Sequence, residues 1–190
     1  LVGTQMIVKG HDFPDVTLVG ILAADLSLNA GDYRSAERTF QLLTQAAGRA
    51  GRGEKPGRVL IQTYQPDHYS IVAPSHQNYM EFYRREIWYR QMMAYPPAAH
   101  MLVVQVTSPK EEDADQTPTR LAQVVARQEE EYAVMGPTDA AIKKISDIYR
   151  KAIYIKAREY EKLTDLMQRL EESFSETVAG SQTHVWFDFD

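Results

Sequence analysis

Leu18-Val19-Gly20-Ile21-Leu22-Ala23-Ala24 is an unbroken apolar run closed by Asp25. Such a run predicts a strand buried on both faces of a parallel sheet, because a half-covered strand would alternate apolar with polar residues. Residues 35 to about 47 read as a helix, with Ala36, Phe40, Leu43 and Ala47 spaced by four, three and four. Gly48, Gly51, Gly53 and Gly57 break that pattern, and residues 59–63 form a second short strand. Residues 1–66 thus read strand–helix–strand, one crossover unit of an α/β sheet.

Residues 67–100 read as connecting helices. The aromatic-rich stretch from Tyr79 to about Tyr95 is helical by spacing and is stopped by Pro96-Pro97. Tyr79, Phe82, Tyr83, Ile87 and Trp88 form a stripe expected to be core. Residues 101–190 read as a small α+β domain. It comprises a strand at 102–106, a polar stretch at 111–131 that becomes helical after Pro118, and a turn at Gly136-Pro137. A long strand follows at 148–157, then a helical stripe of Tyr160, Leu163, Leu166, Met167, Leu170 and Phe174. Val185, Phe187 and Phe189 alternate with His184, Trp186 and Asp188, the mark of a last strand with one buried face. The order predicts a ferredoxin-like βαββαβ sandwich.

Composition narrows the function classes. The 190 residues contain no cysteine, which removes disulfides, thiolate zinc sites and cysteine nucleophiles. His11, His68, His76, His100 and His184 show no metal-ligand spacing, so no metal site is expected. No apolar run approaches the roughly 20 residues that span a bilayer. No membrane partner is therefore expected, and a cytoplasmic location is the default. The net charge of −5 argues weakly against nucleic acid, but it is an average. Residues 140–160 carry six basic and two acidic groups, between flanks of net −4 (110–131) and −5 (161–190). In that basic segment Arg150, Tyr154 and Lys156 share one side of a strand whose other side carries Ile153 and Ile155. The expectation is an exposed basic and aromatic face, with Trp186 beside it, suited to stacking single-stranded DNA. The bland alternative is a solvated strand face.

A second segment bears chemistry. If the helix persists, Gln45, Arg49 and Arg52 stand at i, i+4 and i+7, within about 40° of one line. Guanidinium forks match phosphate oxygens and stabilise the charge that develops on a transferring phosphoryl group. Read alone, the run fits equally a glycine-ended helix with two exposed arginines.

The wider sequence is more specific. GTQMIVKGHDFPDVTLVGILAAD (residues 3–25), YRSAERTFQLLTQAAGRAGRG (33–53) and GRVLIQTYQPDHYSI (57–71) resemble motifs V and VI and their surroundings in superfamily 2 helicases. Within that superfamily they resemble the bacterial replication-restart helicases of the primosomal protein N′ family. The resemblance is close over residues 1–100 and weaker later, at Gly136-Pro137, Tyr149-Arg150-Lys151 and the aromatic strand at 185–189.

The resemblance implies that residues 1–66 are the C-terminal part of a RecA-like helicase lobe and that the chain is a fragment of an ATP-dependent 3′→5′ DNA helicase. It implies Arg49 and Arg52 as arginine fingers, Gln45 as a sensor of the γ-phosphate, and Gly10 and Asp12 near the nucleotide. Thr4, Gln5 and Lys9 would face DNA. ATP and Mg2+ would be cofactors of the full-length protein, and zinc would be held by cysteines upstream of this segment. Forked and single-stranded DNA, single-stranded-DNA-binding protein and other primosome proteins would be partners. No G-x-x-x-x-G-K-[ST] phosphate loop is present, so the fragment alone is expected to be inactive. The alternative is a non-motor DNA- or protein-docking module whose helicase-like half is structural.

Overall fold

The computed structural model describes residues 2–3, 15–52, 54–128, 132–177 and 182–190. The chain divides into two compact units, residues 1–89 and 90–190. Thr4, Gln5, Lys9, Gly10 and Asp12 lie outside the described residues.

In the first unit, β1 (Leu18–Ile21) and β2 (Arg58–Ile61) pair in parallel, Leu18 opposite Arg58 and Ile21 opposite Ile61. Parallel partners need a crossover connection. It runs through a single turn, α1 (Asp25–Leu28), and the helix α2 (Ser35–Ala47). The predicted apolar face of α2 is the one it buries, through Phe40, Leu43 and Ala46. Leu43 packs with Ala24, Ile21 and Ile61, and with Ile71 of α3 (Tyr69–Ser75). Phe40 stacks on Phe82 of α4 (Tyr79–Met92), with ring centroids 4.2 Å apart.

Two expectations for this unit are corrected. The apolar run does not make a strand covered on both faces: among the described residues Leu18 is 58% exposed and Leu60 64%. The helices of the crossover lie against the face bearing Ile21 and Ile61, and the described residues bring no layer to the other. The aromatic stripe of α4 is not core either. Phe82 is buried, but Tyr79, Tyr83 and Trp88 are exposed. Glu86 takes an inward position because it accepts a 2.7 Å hydrogen bond from the Tyr69 hydroxyl.

The second unit is a four-stranded antiparallel sheet with two helices. Its elements are β3 (His100–Ser108), α5 (Glu111–Ala126), β4 (Ala133–Ile145), β5 (Ile148–Ala157), α6 (Tyr160–Thr177) and β6 (His184–Phe189). The strands lie in the order β4-β5-β3-β6. This is the βαββαβ order expected from the sequence. Leu102, Val104 and Val106 of β3 and Ile153 and Ile155 of β5 share a core with Leu121 and Val125 of α5 and Leu163, Leu166 and Leu170 of α6. Val185, Phe187 and Phe189 close it from β6.

Helix α5 begins at Glu111, seven residues before the proline where helical character was expected. Glu111, Glu112 and Asp113 favour this start, because carboxylates in a first turn meet the positive end of the helix dipole. Pro118 is tolerated inside the helix and packs in the interior. Gly136-Pro137 is not a turn but an irregularity inside β4, where the register to β5 shifts between Met135 and Thr138. The turn comes later, at Ser146-Asp147, where φ values of 48° and 64° fit the tight hairpin that joins β4 to β5.

Gly136 has φ +108°, and a Cβ there would meet the Ala152 carbonyl oxygen at 2.7 Å. Gly136→Ala should therefore destabilise the unit by about 2 kcal/mol. Urea denaturation followed by circular dichroism measures this; a shift within 0.5 kcal/mol (about the scatter for a neutral surface change) would contradict it.

Candidate functional site

The glycine–arginine turn follows directly from α2. The helix stops at Ala47, and Gly48 occupies its C-cap. The chain then turns, and Gly51, with φ +74°, donates its backbone N–H to the Val16 carbonyl at 2.9 Å. A Cβ on Gly57 would meet the Gly51 nitrogen at 2.3 Å, so only glycine allows these two strands of backbone to touch. Val16 precedes β1 and Gly57 precedes β2, which puts the turn at the amino end of the parallel pair.

The three residues of this segment are not in the line expected of a continuous helix. Gln45 is exposed in the last turn of α2, Arg49 is half-buried beyond it, and Arg52 is exposed after the glycine turn. The Arg52 Nε donates to the Gly48 carbonyl at 2.9 Å, so its side chain folds back over the end of the helix. The helical line fails because the helix ends before reaching either arginine.

Asp25 lies at the opposite, carboxyl end of the strands. Its carboxylate accepts from the Thr63 hydroxyl at 2.7 Å and from the Tyr64 backbone N–H at 2.9 Å. These bonds, the Thr63 hydroxyl first, hold its pKa below the ordinary 3.8. Asp25 thus ties the loop after β1 to the loop after β2, and both its oxygens are occupied.

In the second unit, the sheet face away from the helices carries Met101, Val103, Gln105 and Thr107 of β3, Arg150, Ala152, Tyr154 and Lys156 of β5, and His184, Trp186 and Asp188 of β6. Arg150, Tyr154 and Lys156 share that face, as the spacing predicted. The expected exposure holds for Trp186, at 61%, while Arg150 and Tyr154 are half-buried. It fails for Lys156, which is 5% exposed. The Lys156 Nζ donates to the Met93 carbonyl at 2.9 Å and lies 3.3 Å from the centroid of the Tyr95 ring. Burial pushes its pKa below the ordinary value. The segment after α4 is thus fastened across one end of the face; Arg90 secures it further by donating to the Pro96 carbonyl at 2.9 Å.

The other lysines of the basic segment are engaged as well. Lys151 bridges Asp115 of α5 at 2.6 Å and Asp139 of β4 at 2.7 Å, which raises its pKa. Lys143 pairs with Glu111 at 3.1 Å, and Lys144 with Asp147 at 3.0 Å. The local excess of positive charge is largely met by Glu111 and Asp115 of the preceding acidic block and by Asp139 and Asp147. Arg150 is different: among the described residues no hydrogen bond or ion pair holds its guanidinium, and the same is true of Arg158.

Residues 91–190 match the family described as primosomal protein N C-terminal domain. The chain belongs to this family. Proteins named replication restart protein PriA are similar over the whole chain: 42% identical over 191 residues in Bacillus subtilis, 41% over 192 in Synechocystis and 34% over 192 in Treponema pallidum. The chain spans 24%, 22% and 29% of those relatives' lengths. The primosomal protein N C-terminal domain match thus coincides with the second unit, while the similarity to the relatives also covers the glycine–arginine turn.

Sequence reading missed the Lys156 fastening in this primosomal domain. Parity put Lys156 on the right face, but its partners lie more than 60 positions upstream. The one available signal was Tyr95 beside Pro96-Pro97, an aromatic ring in a stretch that cannot continue a helix.

The Asp25 tie gives a pH-dependent prediction. A carboxylate whose folded pKa is lowered stabilises the fold above its unfolded pKa and loses that contribution as the pH falls. Asp25→Asn should unfold more easily than the parent at pH 7, and the gap should close as the pH drops through 3.8 and below. Thermal unfolding at several pH values tests this; a gap that stays constant with pH would show that the carboxylate charge is not responsible.

Proposed function

We propose that this chain is part of an ATP-dependent 3′→5′ DNA helicase that restarts stalled replication forks and directs primosome assembly. Residues 1–66 are read as the C-terminal part of a RecA-like lobe. Membership of the primosomal protein N C-terminal domain family and whole-chain similarity to replication restart proteins support the reading. The observation that carries it is the turn at Gly48–Arg52. This turn is anchored by backbone contacts at Val16 and Gly57 and leaves Arg52 exposed, just after the exposed Gln45 in the last turn of α2.

Under this reading Arg52 and Arg49 meet the ATP phosphates during hydrolysis, and Gln45 senses the γ-phosphate. A guanidinium that folds onto a carbonyl at rest, as Arg52 does, can leave that neutral acceptor for a phosphate oxygen, where the hydrogen bond is charge-assisted. The group that supplies the chemistry is Mg2+-ATP, its phosphates held by a phosphate loop this sequence does not contain, so the chain alone is proposed to be inactive. Gly10 and Asp12 are proposed near the nucleotide, and Thr4, Gln5 and Lys9 along the DNA. Single-stranded-DNA-binding protein and other primosome proteins are proposed partners, with the cytoplasm as location. Zinc is proposed for the full-length protein, on cysteines outside this sequence.

One observation favours a second reading. The family match falls on the second unit, which has its own closed core, so the chain could serve as a docking module with a structural first half. The two readings differ in a measurable way. In the complete protein, Arg52→Ala should lower ATP hydrolysis by about a thousandfold, the scale of a lost arginine finger, while fork binding stays within a few-fold. ATP hydrolysis that survives Arg52→Ala would leave the docking reading standing.

A further inference from the structure

Arg52 lies past the end of α2, so the helix does not place it. The backbone N–H groups of Arg49 and Ala50 still bond back to the helix, to the Ala46 carbonyl at 3.1 Å and the Ala47 carbonyl at 3.2 Å. Gly51 ends that series, because its N–H turns to the Val16 carbonyl instead. From Gly51 onward the backbone takes its position from the two strands. Val16 stands just before β1, and the Arg58 N–H donates to the Thr17 carbonyl at 2.8 Å where the parallel pair begins.

Gly57 supplies the remaining contact. It is exposed, yet an added Cβ would meet the Gly51 nitrogen at 2.3 Å, the Ala50 carbonyl carbon at 2.5 Å and the Ala50 Cβ at 2.7 Å. Two of those atoms are backbone, so no change of rotamer relieves the overlap, and the turn itself has to lift away from β2. The same closeness appears from the other side. A Cβ on Gly51 would lie 2.8 Å from the Gly57 nitrogen. The turn and the entry to β2 are therefore in direct main-chain contact. Arg52 follows Gly51 immediately, and its Nε bond to the Gly48 carbonyl holds the far end of the side chain.

We infer that Gly57, which lies outside the Gly48–Arg52 turn, is a positioning residue for ATP hydrolysis: packed on Gly51, it fixes the point from which the Arg52 side chain leaves the backbone. The inference rests on the helicase reading above for what Arg52 meets. A group that acts on a reacting centre has to be held within about 0.5 Å of its productive place. A misplacement of about 1 Å costs on the order of a hundredfold in rate. Contact between backbone atoms gives that accuracy, because neither side has a rotamer through which to yield. Arg49 is not governed in this way, since its backbone is bonded to α2. Gly57 touches neither ATP nor the reacting atoms; it acts through Arg52.

Two measurements test this. In the complete protein, Gly57→Ala should lower kcat for ATP hydrolysis about a hundredfold, with KM for ATP nearly unchanged, the pattern of an interaction made in the transition state. Added to Arg52→Ala, the same substitution should change kcat by no more than about twofold, because two residues that act through one group are not additive. An equal loss in both backgrounds, or full activity in Gly57→Ala, overturns the positioning role. The second measurement needs no ATP. In the 190-residue protein, the Arg52 Nε–H resonance is identified by its disappearance in Arg52→Ala. It should shift and exchange faster with water in Gly57→Ala. Gly51→Ala should do the same, and it takes the place of Gly57→Ala if circular dichroism shows the latter unfolded. An Arg52 resonance unchanged in a folded variant overturns the inference. ATP hydrolysis that survives Arg52→Ala defeats the arginine-finger reading alone, and the resonance still decides whether Gly57 places Arg52.

Discussion

The second unit depends on one pairing. β3 and β5 run antiparallel over the full nine residues of β3, from His100 opposite Ala157 to Ser108 opposite Tyr149. That register decides which residues face the helices. With Val104 opposite Ile153 and Leu102 opposite Ile155, the branched side chains of both strands meet Leu121, Leu163, Leu166 and Leu170. A slip of one residue would turn those isoleucines outward and drive Arg150, Tyr154 and Lys156 into the core. Burial of two full strands of apolar residues makes such a slip costly, so the same constraint that builds the core also fixes the composition of the open face.

Charge in this unit is arranged by proximity in space. Residues 110–131 and 140–160 have opposite net charge, and the fold brings them together. Lys151 lies between Asp115 and Asp139, and Lys143 reaches Glu111. Pairs whose acid stands in solvent, as Asp115, Asp139 and Glu111 do, contribute little individually, because water and salt screen them. Their larger effect is subtractive: they remove most of the positive field that the linear sequence suggests. What remains is the Arg150 guanidinium on the sheet face, the exposed Arg158 just beyond β5 and a lysine sealed beneath an aromatic ring.

Much of the fold was legible because periodicity reports burial directly. The helix at 35–47, the strand at 148–157 and the stripe at 160–174 correspond to α2, β5 and α6. The failures share a cause: each depends on a partner distant in sequence. An apolar run cannot disclose that the described residues cover only one of its faces, as at Leu18 and Leu60. A proline such as Pro118 reads as a helix start until the acidic turn before it is seen to open the helix. For the candidate sites, the glycine–arginine run and the shared face of Arg150 and Tyr154 were visible in the spacing. The fold-back of Arg52 onto Gly48 and the closure over Lys156 were not, because both require the path of the backbone.

The two-residue hairpin at Ser146-Asp147 bears on how the unit forms. It joins β4 to β5 with almost no chain between them, so their pairing closes a minimal loop. β6 must instead find β3 across some eighty residues, with Phe189 opposite Leu102. Loop closure entropy grows with the intervening length, and contacts of long separation slow folding. The order of assembly that follows is hairpin first and β6 last. Trp186 sits on that late strand, so in a Trp88→Phe background its fluorescence would follow the final step of folding, while circular dichroism follows the earlier ones. Coincident traces from the two signals would instead mean that the sheet closes in a single cooperative event.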